Sequence, residues 1–161
     1  MNMMKWIAAL AATMALLQPG AGEAACARPD PALLRGVWQD FRAATLEGRP
    51  EQAARFYRFP LKLLSPYDGD KPRLLPRAVF IAHYEELFRQ QMDSDAQDLL
   101  SQMKKGGGRE YIGEPPFNEQ KCAYAVPTRI GDYNFSYDPK SGWRIESLYH
   151  PYWDLYDALV R

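Results

Sequence analysis

Few side chains in this sequence could do acid–base or nucleophilic work. Histidine occurs only as His83 and His150. His83 borders an apolar stripe, three residues after Phe80 and four before Leu87, and His150 stands where a strand should end. Either could form a general acid–base couple with Asp40 or Asp154, although a half-buried structural histidine is the simpler account. Asp40, at the edge of the apolar stripe of the first predicted helix, and His83 are therefore the two weak catalytic candidates. No HxH, HExxH or clustered Cys/His pattern predicts a metal. Gly106-Gly107-Gly108 lacks the Lys-Ser/Thr of a phosphate-binding loop and reads as a flexible loop, so no cofactor is expected.

Tyrosines form the richer group. Tyr57, Tyr84, Tyr111, Tyr124, Tyr133, Tyr137 and Tyr149, with Trp143, could line a pocket or an interface, with phenol hydroxyls as polar handles on apolar bodies. Ordinary aromatic packing is the competing account. Cys26 and Cys122 are the only cysteines. In an exported chain an even pair favours a disulfide, against two free thiols. Lipidation of Cys26 would need a large aliphatic residue where Glu23 stands.

Export is itself read from the start of the chain. Lys5 precedes the apolar run 6–17, Gln18-Pro19-Gly20 breaks it, and Gly22-Glu23-Ala24 supplies small residues for cleavage. Residues 1–24 thus read as a signal peptide, and 25–161 as one domain in a periplasmic or secreted protein. No other run approaches the roughly 20 apolar residues of a membrane span. Lys plus Arg equal Asp plus Glu at 20 each, a balance unsuited to nucleic-acid backbones.

Several elements must position these residues. Asp30-Pro31 starts a helix over 31–46, with Leu34, Val37, Trp38, Phe41 and Thr45 as its buried stripe. Glu47-Gly48-Arg49-Pro50 ends it, a short helix reaches Tyr57, and 59–64 reads as a strand with Pro60 at its beginning. Residues 73–75 form a returning edge strand. Helices follow over 76–92 and 95–103, then a strand over 109–113. Residues 121–150 read as three strands turning at Gly131-Asp132 and at 138–142. Alternation puts Tyr133, Phe135 and Tyr137 on one face. It puts Trp143, Ile145, Ser147 and Tyr149 on one face of the last strand, opposite Arg144, Glu146, Leu148 and His150. A short helix over 151–160 closes the chain.

This order predicts an α+β protein. The long first helix, the break at Glu47-Gly48-Arg49-Pro50, the phrase Phe56-Tyr57 before Phe59-Pro60-Leu61, and the closing Gly142-Trp143-Arg144-Ile145 resemble the NTF2-like superfamily, which includes ketosteroid isomerase and SnoaL. The resemblance spans about 31–150. It implies a curved antiparallel sheet wrapped around N-terminal helices as a cone with an open end. The isomerases of that group need a carboxylate base in the pocket. The strand 59–64 here carries Lys62 and no acid, which points to a non-catalytic member. The expectation is an exported binding protein that holds a protein partner, as an immunity-type protein would, or a small apolar ligand. A homodimer through the sheet face is a further expectation. An enzyme of the isomerase or dehydratase kind is the alternative.

Overall fold

The computed structural model describes residues 26–65, 69–89, 99–150 and 156–158, with the backbone alone at 88 and 89. The predicted signal peptide, the turn at 66–68, residues 90–98 and most of the predicted last helix lie outside the described residues.

Helix α1, Pro31–Leu46, has the predicted bounds. Asp30 caps it, its side chain accepting from the Ala32 N–H at 2.8 Å, and Pro31 has no N–H to leave unsatisfied there. Helix α2, Pro50–Ala53, and a 3-10 turn, Ala54–Phe56, deliver the chain into β1, Tyr57–Leu64. β2, Arg73–Leu75, returns antiparallel to β1. The single helix predicted over 76–92 is two in its described part, α3, Arg77–Ala82, and α4, Tyr84–Arg89. They break at His83, where no residue type requires it.

Helix α5, Leu99–Gly106, extends through both lysines into the glycine run. The expected flexible loop is therefore shorter and partly helical. Residues 109–113 form no strand, a correction to the expectation, although the Gly113 N–H reaches the Arg129 carbonyl at 3.1 Å. β3, Phe117–Asn118, pairs with β4, Ala123–Tyr124, as a separate ribbon. The first strand of the predicted meander is thereby split. Its remainder is β5, Thr128–Ile130, followed by β6, Tyr133–Asp138, and β7, Gly142–Tyr149.

The main sheet runs β2-β1-β7-β6-β5 and is not closed. It is mixed, because β1 and β7 pair parallel while the other neighbours are antiparallel. Pro60 lies mid-strand, not at the strand's beginning. Its missing N–H falls within the register shift between Tyr57 and Lys62.

A second irregularity overturns the predicted faces of β7. Phe135 pairs with Ile145 but Asn134 pairs with Ser147, so Glu146 is an extra residue, a β-bulge. Trp143 and Ile145 face inward as expected. Beyond the bulge the phase flips: Leu148 and His150 are buried although the alternation placed them opposite Trp143, and Ser147 is buried as well. Ser147 meets the Asn134 amide at 3.1 Å.

One core forms between the sheet's inner face and the helices. Trp38 and Phe41 of α1 pack on Tyr133, at 5.7 and 5.1 Å between ring centroids. Phe41 also meets Tyr57 at 5.4 Å, and Phe80 of α3 meets Tyr57 at 4.8 Å. Each such fully buried ring contributes about 1.5–3 kcal/mol of hydrophobic stabilisation. The helices thus cover the aromatic face of the sheet. Arg58, Lys62, Arg129 and Asn134 alternate to its opposite face, which is polar.

Candidate functional site

The structure separates the predicted site residues into groups. Tyr57 of β1, Tyr84 of α4 and Tyr133 of β6 are buried in the core. The hydroxyls of Tyr57 and Tyr133 have no hydrogen-bond partner among the described residues. Burial first, and then the neighbouring phenols, holds both hydroxyls well above the ordinary tyrosine range.

Trp143 is also buried, 5.1 Å from Tyr124 and 5.3 Å from Tyr137. Tyr149 stands on the outer face beneath Arg129, whose guanidinium carbon is 4.7 Å from the ring centroid. Asp40 is exposed on α1. His83 is half-buried at the α3–α4 break, its Nδ1 3.7 Å from Glu86. Neither lines any of the three openings described here. His150 is buried, with Nε2 2.8 Å from the Leu87 carbonyl, so this nitrogen carries the hydrogen.

The largest of those openings is a crevice of about 540 Å³. One wall is the start of α1 and the segment before it, with Arg28, Ala32 and Arg35. The other is 109–114, with Arg109 and Tyr111. Tyr124, Thr128 and Trp143 complete the lining. The Cys26–Cys122 disulfide, formed as predicted, stands two residues before each of two lining residues, Arg28 and Tyr124. That bridge joins the first wall to the β3–β4 ribbon, and Arg28 lies over Tyr124 at 6.0 Å. Thr128 Oγ1 and Trp143 Nε1 are buried without a hydrogen-bond partner among the described residues. A second opening of about 280 Å³ lies against Ser136, Tyr137 and Glu146. A third, of about 90 Å³, lies under α5 beside Trp38, Asp132 and Tyr133.

Glu110 lines both the crevice and the smallest pocket. Its Oε2 accepts from Trp38 Nε1–H at 2.7 Å. The chain around it is pinned to α1 twice more. Gln39 Nε2 donates to the Gly108 carbonyl at 2.7 Å, and Arg42 Nε to the Met103 carbonyl at 3.1 Å. Gly108, at φ 80°, turns the chain there in a conformation that glycine adopts without strain. The glycine run is thus an anchored turn that carries Arg109 and Glu110 to the crevice.

Tyr111 and Tyr124 belong to the expected tyrosine group, whereas Glu110, Arg28, Arg35 and Arg109 were not singled out by the sequence analysis. One signal was within reach. Arg28 is two residues after Cys26 and Tyr124 two after Cys122, so the bridge itself brings them together.

Among the described residues no helix is long and apolar enough to cross a membrane, and no group of His, Cys, Asp and Glu could hold a metal ion. Compared with family models, curated proteins and solved structures, the chain finds no match in any of the three.

Proposed function

We propose that this chain is an exported, non-catalytic binding protein of NTF2-like type, and that it holds a small ligand in the crevice between α1 and 109–114. The observation that carries this reading is the crevice itself. Its volume, about 540 Å³, lies within the range of small-molecule sites. Its walls join three separate parts of the chain, fixed by a disulfide and by the hydrogen bonds of Trp38 and Gln39. The disulfide also supports the exported setting.

A thermal-shift screen of small organic molecules tests the reading. A binder at a hundred times its Kd stabilises the folded state by about 2.7 kcal/mol. Ala32→Trp places a large ring at the crevice mouth from an exposed helix position, so its fold should be intact. The expected result is a ligand-dependent rise in Tm that this variant loses. Binders that act equally on both forms would remove the crevice from consideration.

A second reading is a protein partner of the immunity type. It is favoured by Tyr111, which is 82 % exposed while lining the crevice. Exposed tyrosines are typical anchors of protein interfaces. In that case Tyr111→Ala would weaken a stable complex and leave Tm unchanged; a complex indifferent to Tyr111 would end that reading.

A further inference from the structure

The crevice also carries information about its ligand, on the assumption that the binding reading above holds. We propose that it takes a small organic anion with a flat aromatic body, an aryl carboxylate or sulfonate. Three arginines line it from three separate segments: Arg28 before α1, Arg35 on α1 and Arg109 after the glycine turn. All three residues are exposed. The side chains of Arg35 and Arg109 have no ion pair or hydrogen bond among the described residues. The opposing charges in the lining are Glu110 and Glu114. The neutral Trp38 indole leaves the Glu110 charge in place, so three cations face two acids and the lining carries a surplus of one positive charge.

Guanidinium groups present paired N–H donors that match a carboxylate or sulfonate. Such a match suits an anionic ligand better than the neutral apolar one expected from the tyrosines. The body of the ligand is specified by the other surface. Tyr124, which is half-buried, lies in the lining beside the cations with the buried Trp143 packed against it, 5.1 Å between ring centroids. Aromatic rings favour a flat apolar partner. Cations beside aromatic surface thus select a molecule with an anion at one end and a ring at the other.

Two fluorescent dyes of similar body test this on the disulfide-bonded protein. One is 1-anilinonaphthalene-8-sulfonate, an aryl anion; the other is N-phenyl-1-naphthylamine, its uncharged counterpart. The anionic dye is expected to bind about tenfold more tightly or better, from charge-assisted hydrogen bonds. That preference should shrink with added salt. The double variant Arg35→Gln/Arg109→Gln should lose it with no change in Tm, because both side chains are exposed. Equal binding of the two dyes, no binding of the anionic one, or a preference that survives the double variant would overturn the proposal. Ala32→Trp separates the two levels of inference. A neutral dye that binds alone and is lost in Ala32→Trp sinks the anion but keeps the crevice. Dye binding unaffected by Ala32→Trp sinks the crevice as well.

Discussion

Trp38 on the first helix and Glu110 beyond the glycine turn are joined by a 2.7 Å hydrogen bond between the indole N–H and a carboxylate oxygen. The Trp38 ring is 1 % exposed, so no water replaces that acceptor if it leaves. A buried donor left unpaired costs about 1–3 kcal/mol. The bond therefore fixes the height of the crevice wall as well as the packing beneath it.

Gly106 gives this relationship a test of sign. A β-carbon at Gly106 would collide with the Glu110 carboxylate. In an ordinary helix, Gly→Ala stabilises by roughly 0.5–1 kcal/mol. Here Gly106→Ala is expected to destabilise by about 1–3 kcal/mol, because it pushes the carboxylate off Trp38. In a Glu110→Ala background the same change should become neutral or stabilising. Urea denaturation of the four proteins in the cycle measures the switch, and additivity would refute the linkage.

The disulfide closes a loop of 96 residues. On the chain-entropy model that stabilises the fold by about 4–5 kcal/mol. Cys26→Ser should lower Tm under oxidising conditions to the value that wild type shows with reductant. The variant itself should not respond to reductant. A wild-type Tm indifferent to reductant would remove this contribution.

Tyr57 should behave unlike most buried tyrosines. Its hydroxyl has no partner among the described residues, so Tyr57→Phe deletes a polar group that gains nothing from burial. The variant is expected to be as stable as wild type or up to about 1 kcal/mol more stable. A clear loss of stability on denaturation would show that the hydroxyl is hydrogen-bonded in the folded state.

Stability should have a plateau in pH. Tyr57 and Tyr133 are held above their ordinary value in the folded state, mainly by burial. The unfolded chain therefore loses these protons first, and stability falls as pH rises past about 10. His150 is shifted the other way: burial lowers it, and the hydrogen bond to Leu87 opposes that only in part. The unfolded chain takes up this proton first, so stability falls as pH drops below about 6.5. Tyr133→Phe should flatten the alkaline limb and His150→Gln the acid limb. Unaltered limbs would assign the dependence to other groups.

Local signals in the sequence were legible and non-local ones were not. Asp30, Pro31 and the Glu47-Gly48-Arg49-Pro50 stop all act within a few residues of their helix, and α1 was placed to the residue. The turns at Gly131-Asp132 and 138–142 are equally local. The bulge at Glu146 is a different matter, because it exists only through pairing with β6. Nothing in the alternation of β7 announces that Leu148, not Ser147, continues the inward face. Glu110 was missed for the same reason: its partner Trp38 is distant in sequence. The bridge was readable only because two cysteines leave one pairing.

The parallel pairing of β1 with β7 has a consequence for the order of events during synthesis. β1 has β2 on one side soon after both are made, but its other neighbour is encoded far downstream. Until that strand arrives, β1 keeps a row of unpaired amides and carbonyls beside Leu61 and Leu63, a template on which another nascent copy could add. Pro60 interrupts the row in its middle with a residue that cannot donate. The irregularity that costs the finished sheet a regular register would thus protect the half-made chain from self-association.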